Sequence, residues 1–223
     1  MPARRLCLIL FGPPGSGKGT QAKFLKQSLR VAHISTGDML RERVASGDSL
    51  GVRVAGLMQS GGLVPDEVVN EMVDDRIKFP DCSNGFILDG YPRTVSQAKL
   101  LAGLIEREHV RLVVVRLLVD YNVIMARLSE RRQCPTCGAL YSVTSNSSEI
   151  CDYDGSRLVV RNDDQEHVVR DRLRAYEQQT VPVLTTLREA GYPLFEVVGS
   201  DSSPQSIAHR IEHLVAEGSG EAA

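Results

Sequence analysis

The sequence has no apolar run approaching the ~20 residues needed to span a bilayer. Arg4 and Arg5 precede the apolar stretch Leu6-Cys7-Leu8-Ile9-Leu10-Phe11, the order of a secretion signal. That stretch breaks at Gly12-Pro13, too early for the apolar core of such a signal. A soluble, cytosolic protein with no membrane partner is expected. In that compartment the sequon Asn146-Ser147-Ser148 stays unmodified. An excess of positive charge is also missing: 26 Lys and Arg stand against 28 Asp and Glu. No global field recruits nucleic acid, so anion binding must come from local clusters. Internal repeats are absent, and low complexity is confined to the tail Gly218-Ser219-Gly220, which is expected to be disordered.

What is present is ordinary globular composition, 42% hydrophobic and 24% charged over 223 residues, enough for one sizeable core with smaller lobes. The most informative stretch is Gly12-Pro13-Pro14-Gly15-Ser16-Gly17-Lys18-Gly19-Thr20. It follows a buried-strand pattern and precedes a helical one, the context of a phosphate-binding loop. Glycines allow a tight turn whose N–H groups converge, and the next helix adds its N-terminal amides and dipole. Lys18 supplies a mobile ammonium for outer phosphates. The usual loop ends Gly-Lys-Ser/Thr with the hydroxyl on magnesium; here Gly19 intervenes and Thr20 comes one residue late.

Along the chain, Ala22, Leu25 and Leu29 give residues 21–30 a helical period. Ser35-Thr36-Gly37-Asp38 opens a helix from Met39 to about Ser46, and Gly47-Asp48-Ser49 opens another. Pro65, Asp66 and Glu67 start a helix continuing through Val69, Met72, Val73 and Ile77. Phe86 to Asp89 reads as a short buried strand, 94–108 as a helix, and Leu112 to Val119 as a strand covered on both faces. Residues 121–132 are predicted helical, as is a long helix from Asp163 to Ala190 kinked by Pro182. A last strand, Leu194 to Val198, and a last helix, Ser206 to Glu217, complete the alternation. This predicts an α/β fold, a doubly wound parallel sheet with right-handed crossovers.

Five cysteines is an odd number, and three of them cluster, which in a cytosolic chain points to metal before disulfide. Cys7 and Cys82 read as a buried and a free thiol. Cys134-Pro135-Thr136-Cys137-Gly138 and Cys151-Asp152-Tyr153-Asp154-Gly155 form two knuckles thirteen residues apart. Each turn is followed by glycine, so its two ligands can converge on one tetrahedral ion. Three thiolates and a carboxylate make a closed, structural zinc site, with His167 or water as the other candidates for the fourth ligand beside Asp154. The segment has few apolar residues, and metal binding can supply its missing folding energy. A zinc ribbon that binds nucleic acid is disfavoured by its acidic residues and lack of stacked aromatics.

Four motifs stand in order: Gly-x-x-Gly-x-Gly-Lys-Gly-Thr, Ser-Thr-Gly-Asp-Met-Leu-Arg, Leu-Asp-Gly-Tyr-Pro-Arg-Thr with Gln97, and Arg161-Asn162-Asp163-Asp164 leading to Arg172. Over nearly all its length the chain resembles the adenylate kinases, in particular their long-lid branch with a Cys-Cys-Cys-Cys/Asp zinc site. The resemblance implies a five-stranded core at 1–34, 65–129 and 166–223, an AMP-side helical insertion at 35–64, and a zinc-bearing lid at 130–165. It implies that Gly15, Ser16, Gly17, Lys18, Gly19 and Thr20 hold the ATP phosphates, with Arg127 and Arg131 over ATP and Leu140 and Tyr141 near its base or ribose. It further implies that Thr36 and Arg41 bind AMP, that Gly62, Leu63 and Val64 line its base pocket, and that Gln97 reads the adenine edge. Gly90, Tyr91, Pro92 and Arg93 would meet the AMP phosphate region, and Arg161 and Arg172 would reach between the nucleotides. Asp38 and Asp89 would hold magnesium through water, which answers the displaced hydroxyl. The loop near Gly199 to Asp201 matches the family pattern poorly and is left out of the site.

The chemistry has its own logic. An acceptor phosphate with a second pKa near ~6 is already a nucleophile at neutral pH and needs no general base. Accordingly none of the five histidines falls in these motifs. ATP and AMP bring together about six negative charges that must approach in line. Magnesium, Lys18 and the planar, permanently charged Arg93, Arg131, Arg161 and Arg172 address that repulsion. Arg107 and Arg116, outside the motifs, read as members of solvated helix faces and salt bridges. The expected function is reversible transfer between MgATP, AMP and ADP by a monomer without nucleic-acid partners. A UMP/CMP kinase and a non-catalytic nucleotide-binding or zinc-ribbon adaptor are the alternatives. Thr36, Thr94, Gln97 and the long lid lean toward adenine, and the adaptor leaves Arg93 and Gln97 unexplained.

Overall fold

The computed structural model describes residues 4–143, 149–200 and 202–217. The expected disorder after 217 and the sequon at 146–148 lie outside those residues. Strand β1 (Leu6–Phe11) is buried along its whole length. Side chains alternate across a strand, so Cys7, Ile9 and Phe11 enter one hydrophobic cluster while Leu6, Leu8 and Leu10 enter the other. A strand serving two cores reads as a continuous apolar run, and each fully buried Leu or Ile contributes about 1.5–3 kcal/mol.

Five parallel strands form the sheet in the order β2 (Ala32–Ser35), β3 (Gly85–Asp89), β1, β4 (Arg111–Leu118), β7 (Leu194–Val198). Helices α1 (Lys18–Ser28) and α9 (Pro204–Glu217) cover one face through Ala22, Leu25, Ile207, Ile211 and Val215. Helices α4 (Asp66–Arg76), α5 (Val95–Arg107) and α8 (Val181–Glu189) cover the other through Val69, Val73, Leu101, Ile105, Val183 and Leu187. Between β2 and α4 lie α2 (Thr36–Ser46) and α3 (Ser49–Gln59), packed on each other. Helix α6 (Tyr121–Glu130) leads to a separate two-stranded sheet, β5 (Arg131–Gln133) paired antiparallel with β6 (Leu140–Ser142). No helix among the described residues is long and apolar enough to cross a membrane.

The structure corrects four boundaries. The helix expected over 121–132 stops at Glu130, because Arg131 turns extended (ψ 133°) and pairs with Ser142. The long helix expected over 163–190 is interrupted. A single tight turn at Asn162–Asp164 precedes α7 (Glu166–Ala175), and a wider π-turn at Tyr176–Thr180 separates α7 from α8. Pro182 therefore sits in the first turn of α8, where a missing N–H costs little, instead of kinking a helix interior. Helices α1 and α2 begin three residues earlier than their apolar period indicates, at Lys18 and Thr36, so the ends of both polar motifs are already helical. Strand β2 carries no period of its own: four residues, two buried and two half-buried, including His33.

Candidate active site

β1 is the middle strand, and the loop after Phe11 leaves the carboxyl edge of the sheet at its centre, the usual ligand crevice of such folds. Gly15 in that loop has φ +79°, and a Cβ there would fall 2.9 Å from Leu128 Cγ and 3.1 Å from Ile124 Cγ2. Only glycine fits between loop and α6. Gly17 caps α1 with no side-chain acceptor, so the first amides of α1 remain directed at the loop's concavity. Lys18 Nζ donates to the carbonyls of Gly12 (2.6 Å) and Pro13 (2.9 Å) and lies 3.4 Å from Ser16 Oγ. Burial pushes the Lys18 pKa down to about 8; Asp89 opposes this, and Arg93, Arg172 and Arg131 reinforce it.

A cavity of about 570 Å³ opens over this loop and is lined by seven cationic side chains: Lys18, Arg41, Arg93, Arg127, Arg131, Arg161 and Arg172. Asp163 and Asp164 hold four of them in place. Arg161 donates to Asp163 (Nε to Oδ1 3.1 Å), Arg172 Nη1 lies 3.0 Å from Asp163 Oδ2, and Arg41 Nη1 lies 3.9 Å from it. Arg131 makes a two-pronged pair with Asp164, its Nε at 2.7 Å from Oδ2 and its Nη2 on Oδ1. The Asp164 side chain has no solvent exposure, so this is a desolvated fork-to-fork pair. Burial acts to raise the Asp163 pKa, but Arg172, Arg161, Arg41 and Arg131 together outweigh it and hold it below the usual carboxylate range. Burial and the neighbouring guanidiniums push Arg172 down to about 10. Arg93, tethered by Nε to the Gly90 carbonyl at 2.8 Å, is lowered by burial and by Arg41, with Asp89 and Asp163 opposing. Arg127 spans from the Ser16 carbonyl (3.4 Å) to that of Gly199 (2.9 Å).

A smaller cavity of about 70 Å³ adjoins the first and shares Gly90, Arg41, Arg93 and Arg172 with it. Its walls are apolar, from Leu40, Met58, Leu63, Val64 and Val69, with Thr36 and Gln97 as polar members. Thr36 Oγ1 donates to the Gly90 carbonyl at 2.9 Å. Gln97 is oriented from both ends: its Oε1 accepts from the Arg93 amide (2.7 Å) and its Nε2 donates to Asp66 Oδ1 (2.7 Å). Tyr91, joined to Pro92 by a cis peptide, donates its hydroxyl to Asn70 Oδ1 at 2.7 Å.

The carboxylates face the larger cavity from two elements. Asp38 stands in the first turn of α2, where Ser35 Oγ accepts from its amide (3.2 Å), and it pairs with Arg41 at 2.5 Å. Burial tends to raise the Asp38 pKa, and Arg41 and Ser35 more than reverse it, leaving it lowered. Asp89 ends β3, with His33 Nε2 at 3.4 Å from its Oδ2.

At the far end of the lid sheet, one ligand atom each from Cys134, Cys137, Cys151 and Asp154 lies within 4.8 Å of the others. The knuckles match in backbone: Gly138 N donates to the Cys134 carbonyl (3.1 Å) and Gly155 N to that of Cys151 (3.0 Å). Amides of Thr136 and Cys137 point at Cys134 Sγ from 3.4 and 3.3 Å, as donors do toward a thiolate. Cys137 and Cys151 sulfurs are 3.5 Å apart, close to the ~3.8 Å edge of a tetrahedral site with 2.3 Å bonds. The donor set fits a closed tetrahedral ion, and the Ser156 amide and hydroxyl, with Cys134, hold the Asp154 pKa well below the ordinary range. His167, on α7, is not a member of this cluster.

An adenylate kinase family model matches residues 10–192. The chain belongs to that family. It is similar to the adenylate kinase of Pseudothermotoga lettingae, 42% identical over 212 residues covering 93% of this chain and 97% of that one. The adenylate kinases of Methanocella arvoryzae (46% over 180 residues, 79% and 83% covered) and Anaeromyxobacter dehalogenans strain 2CP-1 (46% over 191, 83% and 89%) are similar too. As a member of this family the chain is a phosphotransferase.

Of the residues singled out from sequence, Gly15, Gly17, Lys18, Gly19 and Thr20 line the larger cavity together with Asp38, Leu63, Asp89, Tyr91, Pro92, Leu140 and Tyr141. Gly62 and Val64 line the smaller one. Ser16 lines neither and is buried beneath the loop. Sequence reasoning missed the residues that hold the others: Asp66, which bridges Gln97 and Thr94 Oγ1 (2.7 Å), and His33 behind Asp89. It read Asp163 and Asp164 only as members of a motif, with no role of their own. A carboxylate pair two and three residues after a motif arginine is the signal that could have found them.

Proposed function

We propose that the chain catalyses reversible in-line transfer of the terminal phosphoryl group of MgATP to AMP, giving two ADP, and so serves adenine nucleotide homeostasis. The observation that carries this reading is two adjoining cavities, one over a phosphate loop and one with apolar walls, joined across shared arginines. The larger takes ATP, with residues 15–20 on its phosphates, Arg127 and Arg131 over them, and Leu140 and Tyr141 beside base or ribose. The smaller takes AMP, its base among Gly62, Leu63 and Val64 with Thr36 and Gln97 as polar contacts, and its phosphate on Arg41 and Arg93. Gly90, Tyr91 and Pro92 shape the turn that presents Arg93.

Arg172, which lines both cavities, and Arg161, which lines the larger one, meet the charge that spreads over the transferring oxygens, and their planar forks match it. Lys18, drawn toward the loop carbonyls, is placed to follow the migrating group. The attacking AMP oxygen is already ionised, so no side chain has to take its proton. Magnesium would neutralise phosphate charge when bound, and Asp38 and Asp89 are the residues that would hold it. Zinc on Cys134, Cys137, Cys151 and Asp154 orders the lid. The insertions 35–64 and 130–165 close over the substrates and exclude water, so ATP is transferred and not hydrolysed. The protein acts as a cytoplasmic monomer.

The test is ADP formation by Lys18→Ala and Arg93→Ala with the fold checked by circular dichroism. Each is expected to lose turnover by about 100-fold or more, the scale of losing one preorganised charge contact. Near-normal turnover in either would remove it from the mechanism.

A further inference from the structure

Helix α9 carries His209 and His213 one turn apart on the side turned away from its buried residues Ile207, Ala208, Ile211 and Val215. Both are exposed. Their Nε2 atoms lie 3.2 Å apart, with the rings at 88° to each other. Two imidazoles bound at 2.0–2.1 Å to one ion, with nitrogens at this separation, subtend about 100° at the metal, close to tetrahedral. Histidines four residues apart on a helix form the two-ligand edge of a metal site for this reason. A third group lies beside the far ring nitrogen of His209. Glu212 Oε2 lies 3.5 Å from His209 Nδ1. A proton on Nδ1 facing that carboxylate leaves the Nε2 lone pair of His209 directed at the gap between the rings. Ligating histidines use this arrangement, with a carboxylate on the far ring nitrogen.

We propose that His209 and His213 form a second metal site, taking one divalent transition ion such as Ni²⁺, Cu²⁺ or Zn²⁺, with water in its remaining positions. The site is distinct from the cysteine cluster: those ligands come from residues 134–154, which have a small core of their own, while α9 packs with α1 on one face of the central sheet. None of the three α9 residues lines either nucleotide cavity. Binding closes one helical turn of α9 and favours the folded chain by mass action. Helix α9 is tied to α1 through the Gln21 side-chain amide, which donates to the Pro204 carbonyl at 3.1 Å. The ion therefore stabilises the face that supports the phosphate loop without touching the chemistry. Imidazole ligands follow the ordinary order, so Cu²⁺ binds more tightly than Ni²⁺.

The experiment is calorimetric titration of NiCl₂ into the full-length protein carrying its native metal, at pH 7.5 in a non-chelating buffer. Released zinc is followed in parallel with a colorimetric chelator, and thermal melting is recorded with and without Ni²⁺. The wild type is expected to take up one Ni²⁺ per chain with no zinc released, and to melt at a higher temperature with the ion. His209→Gln and His213→Gln should each abolish that binding and the thermal shift while forming ADP at the wild-type rate. Glu212→Gln should weaken binding by about tenfold, the scale of losing an orienting carboxylate. Uptake that persists in His213→Gln, uptake matched by zinc release, or no uptake by the wild type would each overturn the proposal.

Discussion

Lys18 shows how one residue carries both a cost and a use. Its ammonium is buried among guanidiniums, and its pKa falls to about 8 from the ordinary lysine range near ~10.4. Below pH 8 the group is charged in folded and unfolded chain alike, and the folded state bears the full penalty. Between about 8 and ~10.4 the unfolded chain keeps a proton that the folded chain has released, so this group's contribution to stability rises with pH there. A polyphosphate reverses the preference, because it favours the ammonium. The affinity for MgATP is therefore expected to be flat below pH 7.5 and to fall above pH 8, by up to about tenfold per pH unit. Calorimetry at pH 8.5 in two buffers of different ionisation enthalpy should record proton uptake on binding. Asp163 and Asp164 complement this at the same scale. By pairing with Arg41, Arg131, Arg161 and Arg172 they let four guanidiniums stand near one another without an unpaired buried charge.

At the scale of elements, α2 and α3 come into close backbone contact. Asp48 joins them, accepting from the Gly51 amide at 2.7 Å and from Arg43 Nη1 at 2.9 Å. A Cβ on Gly51 would fall 1.9 Å from the Arg43 carbonyl oxygen, and backbone cannot step aside as a side chain can. Gly51→Ala is expected to cost about 1–3 kcal/mol in overpacking and to part the two helices. Leu40 on α2 and Met58 on α3 wall the smaller cavity. The KM for AMP should thus rise several-fold while that for MgATP holds, which initial-rate kinetics with each substrate varied will separate. The elements also mark where the sequence was legible. β1, β3 and β4 announce themselves as apolar runs because they are buried on both faces, while the edge strand β7, with only Val197 buried, is read from Leu194, Phe195, Val197 and Val198. β2 does not, since it is only four residues long and carries His33 and Ser35 beside its two buried residues, and the five-stranded sheet came from family resemblance alone. Arg131 reads as helical because the basic end of α6 continues its pattern, and only pairing with Ser142 turns it into strand. The π-turn at 176–180 has no local signal either. It goes with the tertiary bond from Thr180 Oγ1 to the Arg93 carbonyl at 3.1 Å.

For the whole molecule, a formal net charge of −2 coexists with seven cations around one cavity. Fold topology makes that local concentration possible. The order β2-β3-β1-β4-β7 brings the ends of β1, β2 and β3 side by side, so motifs at 12–20, 35–41 and 89–93 converge although they are distant in sequence. The motif spelling made the cavity's membership readable from sequence. The supporting carboxylates were not, because their role is visible only once the arginines have met. The lid is the other whole-molecule feature. Among the described residues its own core is little more than Leu158, Ala139, Tyr141 and two of the cysteines, a core small enough that a bound metal would supply much of its order. Cys151→Ser is expected to lose stoichiometric zinc in elemental analysis. It should lower the melting temperature more than it slows turnover at low temperature, as a lid held by metal and not a metal used in chemistry would do.

The central claim is that one site joins two adenine nucleotides and passes a phosphoryl group between them. The direct measurement is the initial rate of nucleoside diphosphate formation from MgATP with AMP, CMP, UMP and GMP compared as acceptors. Fast ADP formation with AMP, two ADP for each ATP consumed, and far slower turnover with the other three are expected. Faster turnover with CMP than with AMP, or ATP binding without ADP formation when AMP is added, would contradict it.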